Sequence, residues 1–324
     1  MTDCMGAYDP DRAQPAFVDY PRFPLTAIEA AAQAAADAAF RSLAEPYVRG
    51  PRDPRDGDRA FAWRLKGEPG MAAKVLASSE RWTVRAWKRG QTIANRLQAP
   101  PTIRIPRVVH RGTKPAPWLV QEAAIGIPAT TASLSPARAL EIVLGVQATR
   151  VRAWSHLDEW ALDAYRRQII QPLRELARYG VISDVSAATG RQLAENHLAQ
   201  AKVARPVLSH NDLALRHIFL GDAVPWVIDW EDAHHDRLLF LDVAHLMLND
   251  GWLDLDWAQE LGRLAVSHFE ARYNADLRSN LIVTLLERAT GNAYDALRRQ
   301  RRQSVEAVKS LCAVISGELL GPVA

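Results

Sequence analysis

At 324 residues the chain has room for two compact units with cores of their own, and its 24% charged and 48% hydrophobic composition is that of an ordinary globular protein. A formal charge of +3 is too small to argue for nucleic acid or an anionic membrane as partner, and no apolar run approaches the length of a membrane span. Cys4 and Cys312 lie near opposite ends with no metal or redox spacing, and the polar start MTDCMGAYDPDR lacks a signal-peptide core, so the expected location is the cytoplasm.

Residues 1–24 hold four prolines and little periodicity and read as an irregular arm. Thr26-Ala27-Ile28-Glu29 has the spacing of a capping box, which predicts an alanine-rich helix running to Glu45 and stopping before Pro46. Ile28, Ala35, Ala39 and Leu43 would form its apolar face. A polar loop with glycine and proline follows at 49–58. Two strand-like runs, 60–65 and 71–76, flank the turn residues Gly67-Glu68-Pro69-Gly70 and predict a hairpin. The next segment, 79–97, places Trp82, Ala86, Ile93 and Leu97 on one helical face. After a proline-bounded linker at 100–106, Val108-Val109-His110 and Trp118-Leu119-Val120 read as strands. Ser135-Pro136, a serine cap with proline in the first helical position, then opens a helical region at 136–154, 157–179 and 186–202, with Pro172 as a possible break in the second. Trp154, Trp160 and Tyr165 read as core residues of these helices.

The stretch 207–242 interrupts the helices and carries the most concentrated chemistry. Ile218-Phe219-Leu220 and Trp226-Val227-Ile228 are short β-forming runs around Gly221-Asp222, the pattern of a second hairpin. Closing it brings Asp212 and His217, just before the first strand, toward Asp229, just after the second. Two carboxylates and an imidazole at a strand–loop junction suit phosphoryl transfer, in which one carboxylate orients or deprotonates a hydroxyl and another holds a divalent ion. Beyond it, 243–248 reads as a buried helix. Asp250, Asp254 and Asp256 then stand among tryptophans, either lining a pocket for a cationic acceptor or in a solvated loop with Asp256 capping the next helix. The basic run 297–302 reads as a solvated helix face.

His210-Asn211-Asp212, a polar residue five positions on, Val227-Ile228-Asp229-Trp230-Glu231 and Leu241-Asp242 together resemble the catalytic segment of the aminoglycoside/choline-type phosphotransferases, small-molecule relatives of the protein kinases. The resemblance implies an α+β, two-lobed protein-kinase-like fold, with a small β-containing N-lobe (1–121, including the arm and first helix) and a largely helical C-lobe (122–324). It implies an ATP-dependent kinase with a small-molecule, natural-product-type or peptide hydroxyl as acceptor. Asp212 would be the catalytic base, Asp229 a metal ligand, and Asp242 a structural acceptor for the catalytic loop. Lys74, one of only six lysines, would reach the α- and β-phosphates, with Arg85 in its place if 81–88 were the strand. Main-chain groups at Gln121, Glu122 and Ala123 would meet the adenine edge.

Two positions depart from the family pattern. His217 stands where the family has Asn, and its imidazole suits Mn²⁺ better than Mg²⁺ as second metal contact. Gln91 stands where a helix glutamate would pair with the lysine. These departures motivate an alternative reading, a kinase-like pseudoenzyme that binds nucleotide or a partner without turnover. A metal hydrolase built on His210, His217, His234 and His235 with Asp229 and Asp236 lacks a recognisable ligand pair.

Overall fold

The structure, a computed structural model, describes residues 4, 24–39, 42–48, 60–66, 70–76, 81–96, 102–147, 159–201, 207–221, 224–298 and 304–321. The polar loop at 49–58, most of the N-terminal arm, Trp154 and most of the basic run lie outside them. The chain is α+β, with an antiparallel β-sheet lobe and a mostly helical lobe. It divides into two compact units, one of Val18–Ala129 with Arg216–His234, the other of Met1–Phe17, Thr130–Leu215 and His235–Ala324.

The first of these units is built on a five-stranded sheet. Its strands are β1 (Leu43–Val48), β2 (Ala60–Leu65), β3 (Met71–Leu76), β4 (Val108–Gly112) and β5 (Trp118–Glu122), in the order β1-β2-β3-β5-β4. The hairpin read from 60–76 forms as expected, with Ala62 opposite Lys74 and Phe61 opposite Val75. Side chains alternate across a strand, so the two faces of β3 part company. Ala73 and Val75 join Val120, Trp118 and helix α1 (Leu25–Ala38), while Leu76 packs with Leu119 and Trp87 of helix α2 (Arg81–Arg96). Lys74 shares the Leu76 face by the same alternation. In α1, Ile28, Ala31, Ala32, Ala35 and Ala36 form the buried stripe at helical spacing, and their short side chains let the helix lie close on the sheet.

Two expectations for this region change. The helix ends at Ala38, and Leu43–Val48 is a strand, so Leu43 has no part in the helical face. Pro46 is tolerated because β1 is an edge strand whose pairing with β2 shifts register on both sides of it. The capping box does not form: Pro24 occupies the cap position and has no side chain to accept a hydrogen bond. Among the described side chains of α2, Trp87, Gly90, Ile93 and Ala94 are buried; Ile93 was expected there, and the side chains of Trp82, Ala86 and Leu97 lie outside the described residues.

The linker before β4 is tied down rather than loose. Ile103 and Ile105 are buried, the Arg104 N–H donates to Pro225, and the Arg104 carbonyl accepts from Val227. A second, three-stranded sheet of β6 (Ile127–Pro128), β8 (Ile218–Leu220) and β9 (Trp226–Val227) completes the unit. Its tight crossing point requires two glycines. A side chain at Gly126 (φ +114°) would run into the Leu220 carbonyl, and one at Gly221 would come within 2.7 Å of the Gly126 Cα.

The other unit is largely helical: α3 (Pro136–Gln147), α4 (Glu159–Arg178), α5 (Asp184–Leu198), α6 (Leu241–Asn249), α7 (Leu255–Tyr273), α8 (Arg278–Arg298) and α9 (Ser304–Ile315). Its short ladder pairs β7 (Val207–Ser209) with β10 (His234–Arg237). Ser135 caps α3 as expected, its Oγ accepting from the Arg138 N–H. Pro172 does not end α4, because the buried face of Ile169, Leu173 and Leu176 holds the helix through the missing donor. Helix α6 is the centre of the unit, with Leu241 to Leu248 all buried. Cys4 and Cys312 form a disulfide that ties the start of the chain to α9, and the Ser183 N–H donates to the Cys4 carbonyl.

Candidate active site

The hairpin β8–β9 pairs Ile218 with Val227, and one step further out the Ile228 N–H donates to the His217 carbonyl at 2.9 Å. His217 and Asp229 are thereby held across from one another at the hairpin's open end. Asp229 adopts a left-handed backbone (φ 70°, ψ 48°), costly for a residue with a Cβ and best tolerated by Asp and Asn. That bend stops the strand and turns the chain into a 3₁₀ turn, Trp230–Asp232, which packs against α2.

The carboxylate of Asp229 is met from two sides. Lys74 Nζ lies 2.6 Å from Oδ1, and His217 Nε2 lies 3.6 Å from Oδ2, beyond hydrogen-bond range. Lys74 and His217 side chains are only 11% and 8% exposed, whereas Asp229 retains 31%, leaving the carboxylate open to a ligand. The lysine and aspartate come from 155 positions apart. Arg85 is exposed on α2 and is not part of a strand. The side chain of Gln91 lies outside the described residues.

At the other end of β3, the predicted adenine-contact segment closes the sheet. Gln121 is buried opposite Ala72. Glu122 and Arg107 bond reciprocally, the Glu122 N–H donating to the Arg107 carbonyl and the Arg107 N–H to Glu122 Oε2, both at 3.0 Å. The Ala123 N–H donates to the Gly70 carbonyl. Both N–H groups of this pair therefore already have partners, which the sequence could not reveal.

Asp212 stands in the loop after β7, part-exposed, between the buried His210 and Leu213. The loop hangs on Asp242, in the first turn of α6. Ser209 Oγ donates to Asp242 Oδ1 at 2.7 Å, the Asn211 N–H to the same oxygen at 3.0 Å, and the His210 N–H to Oδ2 at 3.1 Å. Asn211 takes a left-handed conformation (φ 66°) to present its N–H this way. Burial pushes the Asp242 carboxyl above its ordinary range, while His210 and the three donors pull it back. The far end of the loop has an anchor that the sequence reading missed: the Leu215 N–H donates to Asp250 Oδ2 at 2.7 Å. Asp254, not Asp256, caps α7, accepting from the Trp257 N–H. His210 is fully buried.

No protein-family model matches the chain, and no curated protein matches it in sequence. Solved structures do. Aminoglycoside phosphotransferase APH(4)-Ia superposes with a TM-score of 0.56 over 93% of this chain and 100% of that one, at 15% identity. The GDP complex of aminoglycoside 2'-phosphotransferase-IIIa gives 0.57 over 85% and 94%, also at 15% identity. The chain has the protein-kinase-like fold of these phosphotransferases. A further APH(4)-Ia structure, a ternary complex with ADP and hygromycin B, gives 0.55 over 87% and 96% at 15% identity. Among the described residues, no helix is long and apolar enough to cross a membrane.

Proposed function

We propose that the protein is an ATP-dependent phosphotransferase that phosphorylates a hydroxyl group of a small-molecule or natural-product-type acceptor. The observation that carries this reading is the convergence of Lys74 and His217 on the part-exposed Asp229. In this assignment Lys74 clamps the nucleotide phosphates and Asp212 is the base that orients or deprotonates the acceptor hydroxyl. Gln121, Glu122 and Ala123 meet the adenine. Because the N–H groups of Glu122 and Ala123 are already donors, their carbonyl oxygens would serve the exocyclic amine.

Asp229 and His217 would hold a divalent ion. Their donor set fits one: the carboxylate suits Mg²⁺ and Mn²⁺, and the imidazole favours Mn²⁺. When bound, such an ion neutralises charge on the phosphate oxygens during transfer. The residues themselves position and exclude; little covalent work falls to the protein.

Transfer of labelled γ-phosphate from ATP, with Mg²⁺ or Mn²⁺, to a panel of hydroxylated amines that includes kanamycin and hygromycin B tests the reading. Asp212→Asn is expected to lower transfer at least 100-fold while leaving ATP binding in place. ATP binding with no transfer to any acceptor and no hydrolysis would favour the second reading, a nucleotide-binding pseudoenzyme. His217, standing where the resembling family has Asn, and Gln91, standing where it has a helix glutamate, are the features that support that alternative.

A further inference from the structure

Helix α6 carries a carboxylate at each end, and both reach the same loop. Asp242 at its first turn gathers the amides of His210 and Asn211 and the Ser209 hydroxyl, while Asp250 at its end takes the Leu215 amide. Eight residues of helix set these anchors about 12 Å apart, whereas the six steps from Ser209 to Leu215 could span about 20 Å if extended. The buried helix thus fixes how far the loop bearing Asp212 can stretch.

Asp250 stands at the opposite end of α6 from Asp242. It caps the C-terminus of α6, its N–H donating to Leu246, and a carboxylate there faces the negative end of the helix dipole. Its side chain makes no capping bond to the 3₁₀ turn it precedes. Its side chain makes a charge-assisted bond to the first N–H of the 3₁₀ turn Leu215–His217, a donor that has no partner within its own turn. That turn ends on the residue whose ring approaches Asp229.

We propose that Asp250 is a positioning residue for phosphoryl transfer: by holding the Leu215 amide it sets the end of the Asp212 loop and the start of the turn that presents His217. The proposal rests on the phosphotransferase reading above. Its effect is on chemistry rather than on nucleotide affinity.

Acceptor-independent ATP hydrolysis with Mg²⁺ or Mn²⁺, together with amide hydrogen exchange of residues 210–217, tests it on Asp250→Ala, Asp250→Asn and the control Asp254→Ala. Asp250→Ala is expected to lower kcat at least tenfold with KM for ATP within twofold, and to speed exchange in 210–217. Asp250→Asn, which keeps an acceptor oxygen for Leu215, should return kcat to within threefold of wild type. Asp254→Ala, which loses a cap of α7 only, should leave kcat and that exchange unchanged. Wild-type kcat and exchange in Asp250→Ala, or an equal loss of kcat in Asp254→Ala, would overturn the proposal. A wild-type protein with neither hydrolysis nor ATP-dependent stabilisation would instead defeat the phosphotransferase reading. Exchange would then decide the brace alone, acceleration confined to 210–217 in Asp250→Ala sustaining it and unchanged exchange refuting it.

Discussion

Asp242 and Asp229 stand 13 positions apart in the sequence and are surrounded in opposite ways. Asp242 is completely buried and saturated by a hydroxyl and two backbone amides, all of which belong to one loop. Asp229 is part-exposed, sits on a strained left-handed backbone, and faces a lysine and a histidine from distant segments. A carboxylate whose acceptor capacity is consumed by neutral donors is a structural tie. One that stays part-exposed beside a lysine and an imidazole, on a backbone strained to present it, is the group proposed above to bind a ligand. The same residue type thus separates into scaffold and proposed site by its partners.

Substitution separates the two most sharply. Asp242→Ala removes the acceptor of two buried donors and one part-buried donor and is expected to cost about 3–5 kcal/mol, whereas Asp229→Ala, which unpairs Lys74 from a part-exposed carboxylate, should cost less, about 1–2 kcal/mol in the absence of nucleotide. Denaturant midpoints of the two variants check this directly; comparable losses would erase the distinction. A second scaffold tie, Cys4–Cys312, closes a loop with a separation of 308 residues. Cys312→Ser is expected to remove about 2–5 kcal/mol, and reductant should shift the wild-type midpoint while leaving that variant unmoved.

The smallest expected effect concerns a scaffold histidine. His197 Nδ1 donates to Ser279 Oγ, whose own proton goes to Gln200 Oε1. Burial, then Arg278, lower its pKa, with Asp276 opposing them. The folded state therefore favours the neutral ring. The stabilisation is complete above the unfolded pKa of about 6.5 and is lost as pH falls through the lower folded value, a small effect because solvent screens this part-exposed ring. The denaturation midpoint of His197→Asn should fall less than that of wild type between pH 7 and pH 5.

Local pattern made much of this legible. The 60–76 and 218–227 hairpins announced themselves through turn residues between β-forming runs, and the Ser135-Pro136 pair marked the start of α3. The grouping of Asp229 with His217 followed from closing the second hairpin, and the role of Asp242 followed from the family resemblance. What stayed hidden depends on long-range placement. Alanine periodicity ran past Ala38 without a signal that Leu43–Val48 would pair as an edge strand. Cys4 and Cys312 carry no local spacing that could reveal their bond. Asp250 reads from the sequence as either a pocket-lining acid or part of a solvated loop, because nothing in its own neighbourhood shows that it accepts from the Leu215 amide, 35 positions earlier.

The central claim, that Asp229 with Lys74 and His217 forms a nucleotide–metal site, is tested most directly by thermal midpoints in ATP with Mg²⁺ and, separately, with Mn²⁺, on wild type and Asp229→Ala. Ligand bound only to the folded state stabilises by mass action, by about 2.7 kcal/mol at a hundredfold excess over Kd, so no acceptor need be known. The account predicts a metal-dependent rise in wild type, larger with Mn²⁺ if His217 is a ligand, and its loss in Asp229→Ala. No rise with either metal, or an equal rise in both proteins, would contradict it.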